Sequence, residues 1–269
     1  MSQPPRSIIG FDRKLELAWL DAMASRLVAG ASSAEARQYV WNLLDGVLAG
    51  DTSHGARGKT ITVLSRVWLL VPAHAEPLRE VAARLFSDAP REHRLALHWA
   101  MLSAAYPFFV DVAGCAGRLL TLNGELTLGQ VVRRIKEDWG DRSTLPRAIQ
   151  RILRSMVQWG SLTDRAGRGV YGPPKTRILA AGSLGEVLAE GLLLSEGNGL
   201  PLDQLRKHPA SFPFDLALDA NALRAHPRLI LHRQGDQTDF IEIKRPSRLL
   251  NTHPHVVESF RAVPLGDDP

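Results

Sequence analysis

The sequence predicts a mainly α-helical protein, and three observations lead there. Before residue 125, apolar residues recur at helical spacing in six successive runs, separated by short Gly- or Pro-marked breaks. Between residues 126 and 171, two more such runs are followed by a basic hairpin punctuated by glycines. After Pro174, short helical runs give way to two apolar stretches around Gly235-Asp236, another hairpin signal. These observations divide the chain into an N-terminal helical bundle (1–124), a winged helix (125–173), a small α/β, winged-helix-like module (174–245) and a polar tail (246–269).

In the bundle, residues 11–28 form an amphipathic pattern with Leu15, Trp19, Met23 and Leu27 on one face, ended by Gly30. Ser32-Ser33 cap a second run carrying Tyr39, Val40, Leu43, Leu44, Val47 and Leu48. A polar loop over 50–59 leads to a third helix over 60–71, stopped by Pro72. Helices over 77–86 and 90–105 follow; Pro107 interrupts, and the pattern resumes over 108–120. Trp68, Trp99 and the phenylalanines read most simply as core.

The stretch over 126–171 carries the strongest local signals. Thr127 caps a helix reaching Trp139, with Leu128, Val131, Val132 and Ile135 on one face and Gly140-Asp141 as the stop. Ser143 and Thr144 precede a second helix with Pro146 in its first turn, where a missing N–H costs nothing. Leu145, Ile149, Ile152, Leu153 and Met156 make its apolar stripe; at about 100° per residue, Arg147, Gln150, Arg151 and Arg154 fall opposite. Gly160 ends it. Leu162 and Val170-Tyr171 are expected as short strands, with Arg165, Gly167, Arg168 and Gly169 at the tip between them.

Charge gives this stretch a chemistry. Residues 127–169 hold nine Lys/Arg, including Arg133 and Arg134, against four acids; that excess of five equals the formal net charge of the whole chain, +5. Gathered guanidinium groups neutralise phosphates and release counterions. Arg and Gln also have the donor geometry to read base edges. Arg147, Gln150, Arg151, Arg154, Arg165 and Arg168, with Arg133 and Arg134, are therefore the candidate contacts to double-stranded DNA. Arg57 and Lys59, in the basic Gly-rich loop, are further candidates for a phosphate backbone. The competing reading is a solvated helix face in a module that binds protein.

Two patterns in the chain are enzyme-like. Residues 53–60 end in Gly58-Lys59-Thr60 before a helix, and Phe108-Phe109-Val110-Asp111 imitates the strand and Asp of a nucleotide-binding P-loop. That mechanism needs a strand feeding the loop and a parallel sheet behind it; the preceding residues look helical, so the pattern is rejected. Glu242-Ile243-Lys244, with Asp215 or Asp219 upstream, imitates the carboxylate set of Mg²⁺-dependent nucleases. Both Asp residues fall in a run, 213–223, that reads as helix. The nuclease therefore stands as an alternative function, beside that of a protein-binding assembly adaptor. The nine His form no metal-ligand spacing: His253 and His255 lie in the tail, and His54 and His232 have no obvious partners.

A chain of 269 residues, 45% hydrophobic and 23% charged, supports a sizeable core and argues against general disorder. The single Cys115 rules out an internal disulfide framework and fits a reducing compartment. Residues 1–6 are followed by no signal-peptide-like run, and no stretch is long and apolar enough to span a bilayer. The expectation is a cytoplasmic, non-enzymatic protein with no cofactor, no metal and no membrane.

The order of pieces resembles the BrxA-like family of the BREX phage-exclusion systems. The resemblance rests on Arg57-Gly58-Lys59-Thr60-Ile61 through Arg66-Val67-Trp68-Leu69, on His98-Trp99-Ala100-Met101-Leu102 through Tyr106-Pro107-Phe108-Phe109-Val110-Asp111, and on the stretch over 126–162. It covers roughly the first two-thirds of the chain. It implies a small DNA-binding component of a bacterial antiviral defence system, with a helical and a winged-helix domain, acting beside a methyltransferase, an ATPase and a phosphatase-like protein. The last third departs from that pattern.

Overall fold

Why the N-terminal residues fold as they do is clearest from their backbone partners. The computed structural model describes residues 9–50, 52–197, 199–235 and 238–244. The tail over 246–269, with His253 and His255, and the turn residue Asp236 lie outside the described residues. The sequence predicts one helix over 11–28, but α1 spans Leu17–Val28. Residues 9–16 run instead as a strap with Phe11 and Leu15 fully buried. The strap's backbone is satisfied from a remote helix: Leu15 N–H donates to Ser155 Oγ (2.8 Å), and Leu15 C=O accepts from Trp159 Nε1 (3.1 Å). Side chains distant in sequence thus replace helical hydrogen bonds.

After α1 come α2 (Ser33–Leu43), α3 (Ala56–Trp68), α4 (Glu76–Asp88), α5 (Arg94–Ala105) and α6 (Pro107–Asn123). Ser32 opens α2 through a capping box with Glu35. Residues 95–105 of α5 are buried without a break, which marks it as the central helix. The loop expected over 50–59 is helical from Ala56 onward. Gly55 caps α3, so Arg57, Gly58 and Lys59 are helical. Gly58 packs so closely that a Cβ there would stand 2.3 Å from the Ser53 carbonyl oxygen. α2, not a strand, precedes this turn, and Asp111 accepts the Trp139 indole N–H at 2.9 Å.

β1 (Leu126–Thr127), α7 (Leu128–Trp139), α8 (Leu145–Gln158), β2 (Thr163–Asp164) and β3 (Val170–Gly172) follow. Leu162 precedes the strand that was expected to include it, and is buried. The three strands form an antiparallel sheet in the order β1-β3-β2. Next come β4 (Ile178–Ala180), α9 (Gly182–Glu196), β5 (Leu200–Pro201), α10 (Leu202–Arg206), β6 (Phe214–Leu216), α11 (Ala220–Ala225), β7 (Leu229–Gln234) and β8 (Thr238–Ile243). The helix expected over 213–223 is corrected here. Its first half is β6, which pairs in parallel with β4, and Asp219 caps α11 through Ala222 N–H (2.7 Å). A parallel partner 36 residues upstream, Ile178 for Phe214, leaves no local signal.

One topology occurs twice. α6, β1, α7, α8 and the β2-β3 hairpin are matched in order by α9, β5, α10, α11 and the β7-β8 hairpin. In both sheets the hairpin's second strand is central and pairs antiparallel with the short strand before the middle helix, as Leu126↔Tyr171 and Leu200↔Ile241. The insertion of β6 separates α10 from α11 in the second unit.

All regions share one core. Trp99 of α5, fully buried, meets Phe109 of α6 (4.9 Å between ring centroids), Trp159 after α8 (6.2 Å) and Phe214 of β6 (5.4 Å). Its indole N–H donates to Ala210 C=O (2.9 Å). α9 lies directly on α5: a Cβ on Gly191 would stand 2.4 Å from the Ala100 carbonyl oxygen. Among the described residues, no helix is long and apolar enough to cross a membrane.

Candidate nucleic-acid interface

Local chemistry sets the two helices of the first unit. Thr127 and Gln130 close a capping box at the start of α7, with Gln130 N–H donating to Thr127 Oγ1 (3.2 Å) and Thr127 N–H to Gln130 Oε1 (2.7 Å). Val131, Ile135 and Trp139 face inward, and Trp139 stands edge-on to Phe108 (4.8 Å between centroids). Pro146 sits in the first turn of α8, where Leu145, Ile149, Ile152, Leu153 and Met156 are buried. Thr144 stands at the N-cap without a capping hydrogen bond. Gly160, at φ +76°, turns the chain toward the hairpin.

With the apolar stripe buried, the opposite face of α8 is presented outward. Arg147, Gln150 and Arg154 are exposed. The hairpin tip bends back over it. Gly167 and Gly169 hold φ of +105° and +77°, and Gly169 C=O accepts from Leu128 N–H (2.9 Å). That bond ties the tip to the start of α7. The result is an open groove of about 530 Å³ between α7, α8 and the tip, lined by Gly129, Gln150, Arg154, Arg168 and Tyr171. Two of the first-turn amides of α7 are satisfied by Gly169 and Thr127, whereas the Gly129 N–H has no acceptor among the described residues. An unbonded amide at a helix N-terminus with two guanidinium groups across a groove is suited to an anion.

The candidate residues do not behave alike. Arg147, Gln150, Arg165 and Arg168 are exposed and make no side-chain hydrogen bond or ion pair among the described residues. Arg154 pairs with Asp164 (2.6 Å) and lies beside the Tyr171 phenol, which burial pushes up and Arg154 pulls back. Arg151 is partly buried and donates to Asp12 C=O, so it holds the strap rather than facing outward. Burial, then the nearby Arg13 and Arg147, push its guanidinium below its ordinary value. Arg133 lies four residues after Gly129 and so shares that side of α7. Arg134 points elsewhere, within electrostatic reach of Cys115 on α6, together with Arg118, Glu137 and Asp138.

Arg57 requires correction as a phosphate contact. It is 6% exposed, pairs with Asp45 (2.5 Å) and lies over the Trp41 ring. The start of α3 turns it inward, where a cation needs a fixed partner. Lys59 is exposed, but α3 packs on α1, α2 and α5, away from the groove.

The carboxylates of the nuclease pattern are distributed differently from the expectation. Asp215 lies on a strand, β6, and pairs with Arg177 (3.1 Å), while Asp219 is spent on capping α11. Glu242 lies on β8, in a different sheet from β6. No cluster of three or more His, Cys, Asp or Glu able to hold a metal occurs among the described residues. Sequence reasoning missed Gly129, Tyr171 and Arg13. The unfilled N2 position after the Thr127 cap was a usable signal for Gly129; nothing local marked Arg13.

No family profile matches this chain, and comparison with curated proteins and with solved structures finds no significant relative.

Proposed function

We propose that residues 125–173, with α6 packed before them, form a winged helix and that the protein binds double-stranded DNA through it, without catalysing a reaction. α8 is the helix offered to the major groove, and Arg165 and Arg168 are the wing's grip on the backbone. One observation carries the reading. Gln150 and Arg154 of α8 and Arg168 of the hairpin line a single groove with the unbonded Gly129 amide. They converge although they come from different elements, and Arg147 on α8 and Arg165 on the hairpin are exposed without an ion pair among the described residues.

The second unit repeats the topology with a different surface. α11 carries Arg224 alone among its cations, and Asp219 caps its start. It is read as a second winged-helix-like module that serves packing. The resemblance to the BrxA-like family adds the setting: a component of a bacterial phage-defence system, working beside a methyltransferase and an ATPase in the cytoplasm.

Fluorescence anisotropy with a labelled duplex of roughly 20 base pairs tests the proposal across a salt series. The expected result is salt-sensitive binding, lost in the triple variant Gln150→Glu, Arg154→Glu, Arg168→Glu and kept in Lys59→Glu. Equal affinity in the triple variant and the parent chain would remove this surface from consideration.

A further inference from the structure

A second basic cavity opens at the other end of α8, between its N-terminus and the strap. It measures about 580 Å³ and is lined by Arg13, Arg147 and Arg151, with Asp12, Ser143 and Thr144 among the polar groups. Three guanidinium groups face one carboxylate there. Asp12 supplies it, and its side chain is half-exposed, 3.4 Å from Arg13 Nε. The excess of two positive charges is not compensated by any other lining residue.

Three details show that this concentration of charge is incompletely satisfied by the protein. Arg13 is 17% exposed at its side chain, and its Nε, apart from the ion pair with Asp12 at 3.4 Å, is buried with no hydrogen bond among the described residues. A buried N–H of a cation left without an acceptor is unfavourable unless something else accepts from it. Arg13 and Arg147 each oppose the charge on Arg151. At the helix start, Thr144 makes no capping bond, and the Arg147 amide, third in α8, has no acceptor among the described residues. The positive end of a 14-residue helix therefore points into the same space as the three arginines.

We infer that this cavity is a binding site for a phosphate-class oxyanion, held by Arg13, Arg147, Arg151 and the first-turn amide of α8. The charge excess matches a phosphate monoester dianion. Planar guanidinium forks bind such oxygens in pairs. Ser143 and Thr144 add hydroxyl donors at the rim. The site does not require the proposed DNA-binding function. Its oxyanion can come from a free phosphate-bearing molecule or from a duplex backbone, and the two sources are separable.

Isothermal titration of the full chain with inorganic phosphate, against chloride at matched ionic strength, is the test. A saturable isotherm is expected, weakened at least about tenfold in Arg147→Gln and in Arg13→Gln and unchanged in Lys59→Gln, because a charge-assisted bidentate contact is lost only in the first two. Should Arg13→Gln fold poorly, Arg147→Gln carries the test, since that side chain is exposed and makes no bond to the protein. No saturable phosphate binding, or equal affinity in both cavity variants and the parent, would overturn the inference. Repeating the titration with saturating duplex separates the sources. Displacement of phosphate identifies a backbone phosphate as occupant; retained binding identifies a small phosphate compound. Phosphate binding without any duplex binding would sink the DNA reading and leave this site standing.

Discussion

The backbone N–H of Leu15 donates at 2.8 Å to the hydroxyl of Ser155, 140 residues further along the chain. The same hydroxyl donates to Arg151 C=O (2.9 Å), and Ser155 is fully buried. Ser155→Ala would leave the Leu15 amide buried and unsatisfied. Loss of about 1–3 kcal/mol of stability is expected, read from the urea midpoint. Faster amide exchange at Leu15 should accompany it, because this bond fixes the strap to α8.

Arg151 and Arg154 lie nearly one turn apart on α8, yet different outcomes are expected for them. Arg151→Gln loses the charge-assisted bond from a half-buried side chain to the exposed Asp12 C=O, so a loss of about 1–2 kcal/mol is expected in a thermal or urea melt. Arg154→Gln breaks an exposed pair with Asp164, whose side chains are 44% and 56% accessible, so the melt should change by less than about 1 kcal/mol. If Arg154 meets a phosphate, its variant should instead flatten the slope of log affinity against log salt by about 0.9.

His98 links the fold to pH. It is fully buried, accepts from Trp68 Nε1 at Nδ1 (3.0 Å) and donates from Nε2 to Asp21 (2.9 Å), an arrangement that requires the neutral ring. Burial pushes its pKa below the ordinary value, with the Asp21 hydrogen bond opposing. His226 is shifted the same way, by burial first. The folded form therefore holds these protons less tightly than the unfolded chain, whose histidines titrate near about 6.5. Stability should be full above that pH and decline as pH falls below it. Urea midpoints from about pH 7.5 to about pH 5.5 check this, and a midpoint independent of pH would contradict it.

Gly191→Ala decides between two effects of opposite sign. Helix propensity alone favours Ala by about 1 kcal/mol. The added Cβ would stand 2.4 Å from the Ala100 carbonyl oxygen, and backbone of α5 cannot yield as a flexible side chain can. Overpacking should win, with a net loss of about 1–3 kcal/mol in a denaturation curve. A neutral or stabilising substitution would mean that α9 is not seated on α5 as described.

Much of the local structure was legible because it is written in short-range patterns. Thr127 announces the start of α7, Pro146 the first turn of α8, and Gly160 its end. The alternation around Gly235 announces β7 and β8. What stayed hidden depends on partners far along the chain. Phe11 to Leu15 share the apolar spacing of α1, but Ser155 and Trp159 claim their backbone. Phe214 and Leu216 look helical until Ile178 and Ala180 are seen beside them. Arg57 reads as a free loop cation until Asp45 and Trp41 enclose it.

For the candidate site, the sequence by itself determined the charge of α8 and of the hairpin tip, and which face of the helix is apolar. Both follow from residue type and a 3.6-residue period, which need no knowledge of the rest of the chain. Only the tertiary structure decided that Arg168 comes to Gln150 and Arg154, that Arg151 turns to the strap, and that Arg13 joins Arg147 at the head of the helix. These are relations between segments brought together by burial of a shared core. Hydrophobic burial is non-directional, so the periodicity that drives the chain to collapse does not state which surfaces will meet.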